Sequence, residues 1–259
     1  MGKELVRCER EGPIAIVWLN NPPMNPLTME LRLALEEVIK DLQEQKKELR
    51  AVVLTGAGRA FAAGADIKAF LTLTPETAKA RLMRTHQIFS LVENFPRPVI
   101  AAIHGYCLGG GLELAMCCDI RCASADAILG FPEVGLSIFP GNGATARALK
   151  FMTLGRFKEL VFTGRRIRAQ EAYEYGLVER IAPQGKALEC ALEIAQEIAR
   201  HPPLGVEAAK RVINRTRDLV LAHALEVESD HWAWLCTTHD MKEAARAFVE
   251  KRKPRFKGC

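Results

Sequence analysis

Three consecutive glycines, Gly109, Gly110 and Gly111, come two residues before a carboxylate at Glu113. We expect a helix to begin on these glycines, directly after a buried strand. Such a helix start points unpaired backbone N–H groups and the positive end of its dipole at whatever lies in front of it. Glycine also has no Cβ atom to keep a ligand away from the backbone. The pattern indicates a site for an oxygen that acquires negative charge, with an acid or a base beside it.

A second carboxylate, Glu133, follows Pro132 in a segment rich in glycine and proline, with apolar neighbours. Burial among apolar groups raises the pKa of a carboxyl, and two facing carboxyls titrate at different pH values. Glu113 and Glu133 could therefore divide acid and base roles around one water molecule. Taken singly, each could equally be a helix cap or a surface residue.

Two weaker features accompany the glutamates. Residues 61–68 form a loop of small side chains after a buried strand, where backbone N–H groups could reach a ligand. Residues 247–256 interleave Phe248 with cations such as Lys251, which is typical of a clamp for a phosphorylated aromatic group. A tight turn and a solvated basic terminus are the structural alternatives.

The elements that must position these residues alternate between strand and helix. Short apolar runs predict strands at residues 14–19, 51–55, 99–103 and 118–123, and helical periodicity predicts helices at 28–42 and 75–93. Residues 130–143 are predicted to be a loop. From residue 144 onward the pattern is mostly helical, apart from a short strand near 177–181. The succession predicts one winding α/β architecture with parallel strands.

Composition excludes several classes of protein. The 259 residues are 49% apolar and 26% charged, as in one large globular domain, and a net charge of +5 is too small for a nucleic-acid-binding composition. No apolar run is long enough for a secretory signal or a membrane span, which predicts a cytoplasmic protein. The eight cysteines form no CxxC pair and the six histidines no paired-ligand spacing. We expect buried thiols in a reducing compartment and no metal site.

Taken together, these motifs resemble the crotonase (enoyl-CoA hydratase/isomerase) superfamily. The resemblance extends from about Ile14 to Phe256 and rests on residues 60–68, 98–105, 109–115, 131–133 and 140–141. It implies a crotonase-like ββα spiral core over residues 1–198 and a helical C-terminal trimerisation region over 199–259. It also implies a homotrimer or hexamer that acts on coenzyme A thioesters, with no metal or redox cofactor, in fatty acid β-oxidation.

The resemblance also assigns roles to individual residues. The N–H groups of Ala65 and Gly110 would form an oxyanion hole for the thioester carbonyl, and Glu113 and Glu133 match the two catalytic glutamates of hydratases. Further positions match substrate-binding residues of the family: Ala63, Asp66, Ile67, Lys68, Gly141, Phe248 and Lys251. Of these, Gly141 would help to place the water, and Phe248 and Lys251 would meet the adenosine and phosphate end of coenzyme A.

Both glutamates favour an enoyl-CoA hydratase. Three alternatives stay open: a cyclic dienoyl-CoA hydratase of aromatic degradation, an enoyl-CoA isomerase, and a non-catalytic acyl-CoA- or RNA-binding member. An isomerase needs only one proton shuttle, so the second glutamate weighs against it. The chain departs from the common hydratase pattern at residues 20–26 and 244–245, and within 139–145 at Phe139, Asn142 and Ala144.

Overall fold

The computed structural model describes residues 4–259, and the bounds of its elements are as follows. The strands are β1 (Val6–Glu11), β2 (Ile14–Leu19), β3 (Ala51–Gly56), β4 (Ala60–Ala62), β5 (Val99–Ile103), β6 (Tyr106–Leu108), β7 (Ile120–Ser124), β8 (Ile128–Gly130), β9 (Arg166–Arg168) and β10 (Arg180–Ala182). The α-helices are α1 (Met29–Glu44), α2 (Pro75–Glu93), α3 (Gly110–Ala115), α4 (Ala144–Arg147), α5 (Leu154–Thr163), α6 (Ala169–Glu174), α7 (Ala187–Ala199), α8 (Pro203–Thr216), α9 (Leu221–Leu235) and α10 (His239–Val249). Short 3-10 helices occupy Ile67–Thr72, Pro132–Leu136 and Ala148–Lys150.

The strands alternate between two sheets as the chain winds. The larger sheet has the order β1-β2-β3-β5-β7-β10, and the smaller one has the order β4-β6-β8-β9. Successive pairs β3 and β4, β5 and β6, and β7 and β8 each give one strand to the larger sheet and the next to the smaller. Parallel pairing joins the strands within each sheet, except for the antiparallel pairs β1–β2 and β8–β9. The predicted α/β spiral is confirmed.

Helices cover both faces of the larger sheet. The hydroxyl of Thr28 accepts a hydrogen bond from the backbone N–H of Leu31, so it caps α1 as its residue type predicts. The apolar stripe of α1 enters the main core, in which α1 and α2 pack against each other. On the other face, α7 buries Ala191 and Ile194 against β3, β5 and β7.

Three predicted boundaries were wrong for local reasons. The strand predicted at 118–123 begins only at Ile120, because the N–H of Cys118 still bonds to the carbonyl of Ala115 at 3.1 Å and closes the preceding turn. The strand predicted at 177–181 occupies Arg180–Ala182, since the N–H of Leu177 bonds back to Ala172 O at 2.8 Å. The predicted loop 130–143 contains a 3-10 helix.

The C-terminal helices attach through a buried arginine. Arg97, 3% exposed, donates to Glu207 Oε2 of α8 at 2.6 Å and to Leu49 O at 2.9 Å. The next helix, α9, buries none of its residues within the protomer. The predicted division at residue 198 stays a prediction. Across residues 4–259, no helix has both the length and the apolar character that crossing a membrane requires.

Candidate active site

Three loops of the site follow three neighbouring strands of the smaller sheet. β4, β6 and β8 are parallel neighbours, so their carboxyl ends lie at one edge. β4 leads into the loop that contains Ala65, β6 into the start of α3 at Gly110, and β8 into the 3-10 helix that contains Glu133. The sheet therefore gathers at one edge segments that are distant in the sequence.

The start of α3 brings the two glutamates together. The N–H of Gly109 donates to Gly130 O at 2.9 Å, which ties α3 to the end of β8. A Cβ atom on Gly109 would lie 2.7 Å from Glu133 Oε1, so the Glu133 carboxyl rests against the glycine backbone. Glu113 is the fourth residue of α3 and is 1% exposed. The two carboxyls are near enough for the charge of Glu113 to raise the pKa of Glu133.

Three hydrogen bonds anchor the Glu113 carboxyl. Its Oε1 accepts from the N–H groups of Asn142 at 2.7 Å and Ala144 at 3.0 Å, and its Oε2 accepts from Asn142 Nδ2 at 2.6 Å. Burial raises the pKa of Glu113, while these donors and the Arg32 guanidinium act in the opposite direction. Such donors stabilise the charged form of a carboxylate.

Glu133 has a different environment. Its Oε2 is buried and has no hydrogen-bond partner among the residues that the structure describes. Burial, followed by the negative charge of Glu113, raises the pKa of Glu133 to about 7. Three hydrogen-bond donors thus surround the carboxyl of Glu113, whereas Oε2 of Glu133 has none in the described part of the chain. Unequal environments of this kind separate a base from an acid.

Two backbone N–H groups remain available beside the glutamates. Leu27 N donates to Gly64 O at 2.8 Å and thereby pairs the start of α1 with the Ala65 loop, and Gly64 has φ +96°. The side chain of Leu27 also reaches within 3.6 Å of the position a Gly110 Cβ would occupy. Among the hydrogen bonds of residues 4–259, none is donated by the N–H of Ala65 or Gly110. Both donors are free to bind an oxygen atom.

The neighbouring predicted positions in the Ala65 loop mostly shape the loop itself. The N–H of Ala63 donates to Met24 O at 2.9 Å, and Asp66 Oδ1 accepts from Lys68 N at 3.1 Å, which caps the following 3-10 helix. Ile67 is 49% exposed, and Lys68 is also exposed. These two side chains point away from the core.

Gly141 directly precedes Asn142, whose backbone N–H and side chain donate to Glu113. Its carbonyl is 2.7 Å from His86 Nε2, and since a carbonyl only accepts, this nitrogen donates. A Cβ atom at Gly141 would contact Leu82 at 3.2 Å. Helix α2 therefore supports the turn that carries Gly141.

The structure does not bring Phe248 and Lys251 to the glutamates. Phe248, in the last turn of α10, is 86% exposed, and Lys251 follows with φ +53°. The tail folds back onto α10, where the carboxylate of Asp240 accepts from the N–H groups of Lys257 and Gly258 at 2.7 Å. Within a single chain, no described contact joins this segment to the Ala65 loop. Its approach to a neighbouring subunit's ligand stays a prediction.

Sequence reasoning missed two buried polar side chains near Glu113. Arg32 is 1% exposed and donates through Nη1 to the hydroxyl of Thr85. Burial, together with the nearby Arg81 charge, lowers the pKa of Arg32 to about 10. The sequence does contain one signal for a buried Arg32, since this cation adjoins the apolar stripe of α1. Asn142 was noticed only as a departure from a pattern, and its contact with Glu113 was not foreseen.

No group of three or more His, Cys, Asp or Glu side chains within residues 4–259 could hold a metal ion. The polar groups that converge here include two carboxyls and unpaired backbone N–H groups. Such groups suit a carbonyl and a proton transfer.

A sequence model described as "Enoyl-CoA hydratase/isomerase" matches residues 9–259. The chain belongs to this enoyl-CoA hydratase/isomerase family. It is similar to the short-chain-enoyl-CoA hydratase of Clostridium acetobutylicum, with 39% identity over 250 residues that cover 96% of this chain and 95% of that protein. It is also similar to the crotonyl-CoA hydratase of Syntrophomonas wolfei, with 35% identity and 99% of each chain covered.

Comparison with solved structures supports the same family. The crystal structure of an enoyl-CoA hydratase from Bacillus anthracis superimposes with a TM-score of 0.93 at 38% sequence identity. That match covers 98% of this chain and 100% of the other. The family fold therefore extends through the C-terminal helices.

Proposed function

We propose that the protein is an enoyl-CoA hydratase, which adds water across the 2,3 double bond of an enoyl-CoA thioester. The observation that carries the proposal is the pair of unequal carboxyls, Glu113 and Glu133, beside the two unpaired N–H groups of Ala65 and Gly110. Family membership and full-length relatives named as hydratases support it.

In the proposed reaction, the thioester carbonyl oxygen accepts hydrogen bonds from Ala65 and Gly110. Glu113 takes a proton from water, the hydroxyl bonds to Cβ, and the electron pair of the double bond moves toward the carbonyl as an enolate. Glu133 then gives its proton to Cα. The sum is one water added, and proton transfer from Glu113 to Glu133 through solvent restores the starting state. An oxyanion donor in comparable sites contributes about 3–4 kcal/mol.

The decisive experiment is a hydration assay with the purified protein on crotonyl-CoA, longer linear enoyl-CoA thioesters and a cyclic dienoyl-CoA. The expected product is the 3-hydroxyacyl thioester, detected as a mass gain of one water. Double-bond migration without a mass change would instead indicate an isomerase. Binding of thioesters without any turnover would indicate a non-catalytic member.

The pH dependence of kcat/KM follows from the acid role of Glu133. This carboxyl must carry a proton, and its pKa is raised to about 7, so kcat/KM should fall as pH rises through that value. The measurement is kcat/KM for crotonyl-CoA across neutral pH. A profile that stays flat from about pH 6 to about pH 8 would remove Glu133 from this role.

We also propose that the chain assembles as a homotrimer or hexamer. In support, α9 buries no residue within the protomer, and it exposes Leu221 and Trp232. A partner subunit would then receive the tail that contains Phe248 and Lys251. All eight cysteines are free thiols, which suits the proposed cytoplasmic location and a role in fatty acid β-oxidation. We propose no metal or redox cofactor, since coenzyme A arrives as part of the substrate.

Lys251→Ala should raise KM for crotonyl-CoA and leave kcat nearly unchanged. A contact with a coenzyme phosphate is remote from the reacting carbons and is equally strong in the ground and transition states. Steady-state kinetics measure the split, and sedimentation at micromolar concentration measures the assembly. A fully active monomer, or a variant with unaltered KM, would disprove the role of the tail.

A further inference from the structure

The side chain of Asn142 occupies a confined position between α3 and the turn that carries Gly141. The residue is 9% exposed, and its Nδ2 lies 3.2 Å from the place a Gly110 Cβ would take. Its backbone is fixed as well, because its N–H donates to Glu113 Oε1 at 2.7 Å and its carbonyl accepts from Arg147 Nη1 at 3.5 Å. The carboxamide therefore has little freedom to turn away from Glu113.

The three donors around Glu113 leave one acceptor position open. An ionised carboxylate offers about four lone-pair sites, two on each oxygen. The N–H groups of Asn142 and Ala144 fill both sites on Oε1, and Asn142 Nδ2 fills one site on Oε2. The remaining site belongs to Oε2. The two backbone donors thus leave Oε2 as the oxygen that can accept a further hydrogen, and the carboxamide limits the direction from which that hydrogen can come.

Charged and titratable groups face Glu113 from several elements. These are Arg32 of α1, Arg147 of α4, Cys117 after α3, and Glu133 of the 3-10 helix. Arg147 is held by a salt bridge to Glu93 at 2.7 Å, and Arg32 by its hydrogen bond to Thr85. A substitution of the Asn142 side chain removes none of these charges, so its effect reports on the carboxamide.

We propose that Asn142 is a positioning residue, whose carboxamide occupies one acceptor site on Oε2 of Glu113 and so directs the remaining site on this oxygen toward the attacking water. This inference rests on the proposed hydratase function. The residue acts through Glu113 and contacts no reacting atom in the proposal. In the sequence, Asn142 is a departure from the common hydratase pattern. The structure shows that this residue donates to Glu113.

The test compares Asn142→Ala and Asn142→Asp with the wild type in kcat, KM and the pH profile of kcat/KM. Loss of a donor that favours the carboxylate raises the pKa of Glu113, so the acidic limb should move up by about one pH unit in the alanine variant. We expect kcat to fall about 10- to 100-fold with KM nearly constant. The aspartate variant keeps the size of the side chain but adds negative charge, so the acidic limb of its pH profile should move to still higher pH than in the alanine variant.

Asn94→Ala is the matched control, because Asn94 is an exposed asparagine whose Nδ2 donates to Ser90 O at 2.9 Å. Its pH profile should coincide with that of the wild type. Thermal unfolding of each variant separates the positioning role from a structural one. An unmoved acidic limb in both Asn142 variants would overturn the proposal, whatever their Tm. A wild-type protein that hydrates no thioester would instead reject the proposed function itself.

Discussion

Glu113→Gln and Glu133→Gln are each expected to lower kcat for the hydration of crotonyl-CoA by about 10²- to 10⁴-fold. Glutamine keeps the size of the side chain but can neither take a proton at neutral pH nor give one. In the Glu113 variant the water loses its base, and in the Glu133 variant Cα loses its proton donor. Both changes act on the transition state, so we expect KM to change little.

The two variants should also differ from each other. Glu133→Gln removes the group whose pKa is raised to about 7, so the residual activity should lose its decline above neutral pH. Glu113→Gln should keep a decline but move it to lower pH, because the charge of Glu113 no longer raises the pKa of Glu133. Glu193→Gln is the control, since Glu193 is exposed on α7 and should retain full activity. If either active-site variant kept near-normal turnover, the two-carboxyl mechanism would be wrong.

Gly111→Ala is expected to cost about 3 kcal/mol of folding free energy or more, because overpacking at rigid contacts is strongly destabilising. A Cβ atom at Gly111 would lie 2.1 Å from the backbone oxygen of Ala62, the last residue of β4. No side-chain rotation can relieve that overlap. Either α3 or the Ala65 loop must shift, so hydration activity should fall together with stability.

Thermal unfolding measures this cost, with an expected fall in Tm of about 6–12 °C. The matched control is Gly155→Ala in α5, where an added Cβ would meet nothing within 4 Å. That change should stabilise the helix by about 0.5–1 kcal/mol. Equal Tm values for the two variants would show that the close approach at Gly111 does not restrict packing.

Much of the larger sheet could be predicted from the sequence, and the reason is burial. β2 and β5 are continuous apolar runs that end at turn residues, and their predicted bounds agree with the structure. The strands β4, β6, β8 and β9 have only three residues each, too few for a periodic pattern. Pairing with neighbouring strands defines them, and pairing is invisible to a local pattern.

The candidate site shows the same limit. Glu113, Glu133 and the glycines that make room for them belong to short motifs, so they were found from the sequence. The contact of Asn142 with Glu113 spans 29 residues and depends on the turn after Pro140. Arg32 was missed because the prediction treated α1 as an apolar stripe only, whereas its buried cation meets a hydroxyl on α2. The placement of the tail depends on other chains and stays a prediction.

The edge formed by β4, β6 and β8 distributes the proposed chemical tasks over three segments of the chain. Adjacent strands stand about 4.8 Å apart, so the sheet sets a regular spacing between the segments that follow its strands. The N–H groups proposed to bind the carbonyl follow β4 and β6, Glu113 lies in α3 after β6, and Glu133, the proposed proton donor, follows β8. A change in the segment after β8 would thus alter proton donation by Glu133, while the N–H groups of Ala65 and Gly110 and the carboxylate of Glu113 belong to other segments. The proposed proton donor can therefore change independently of the groups proposed to bind the carbonyl.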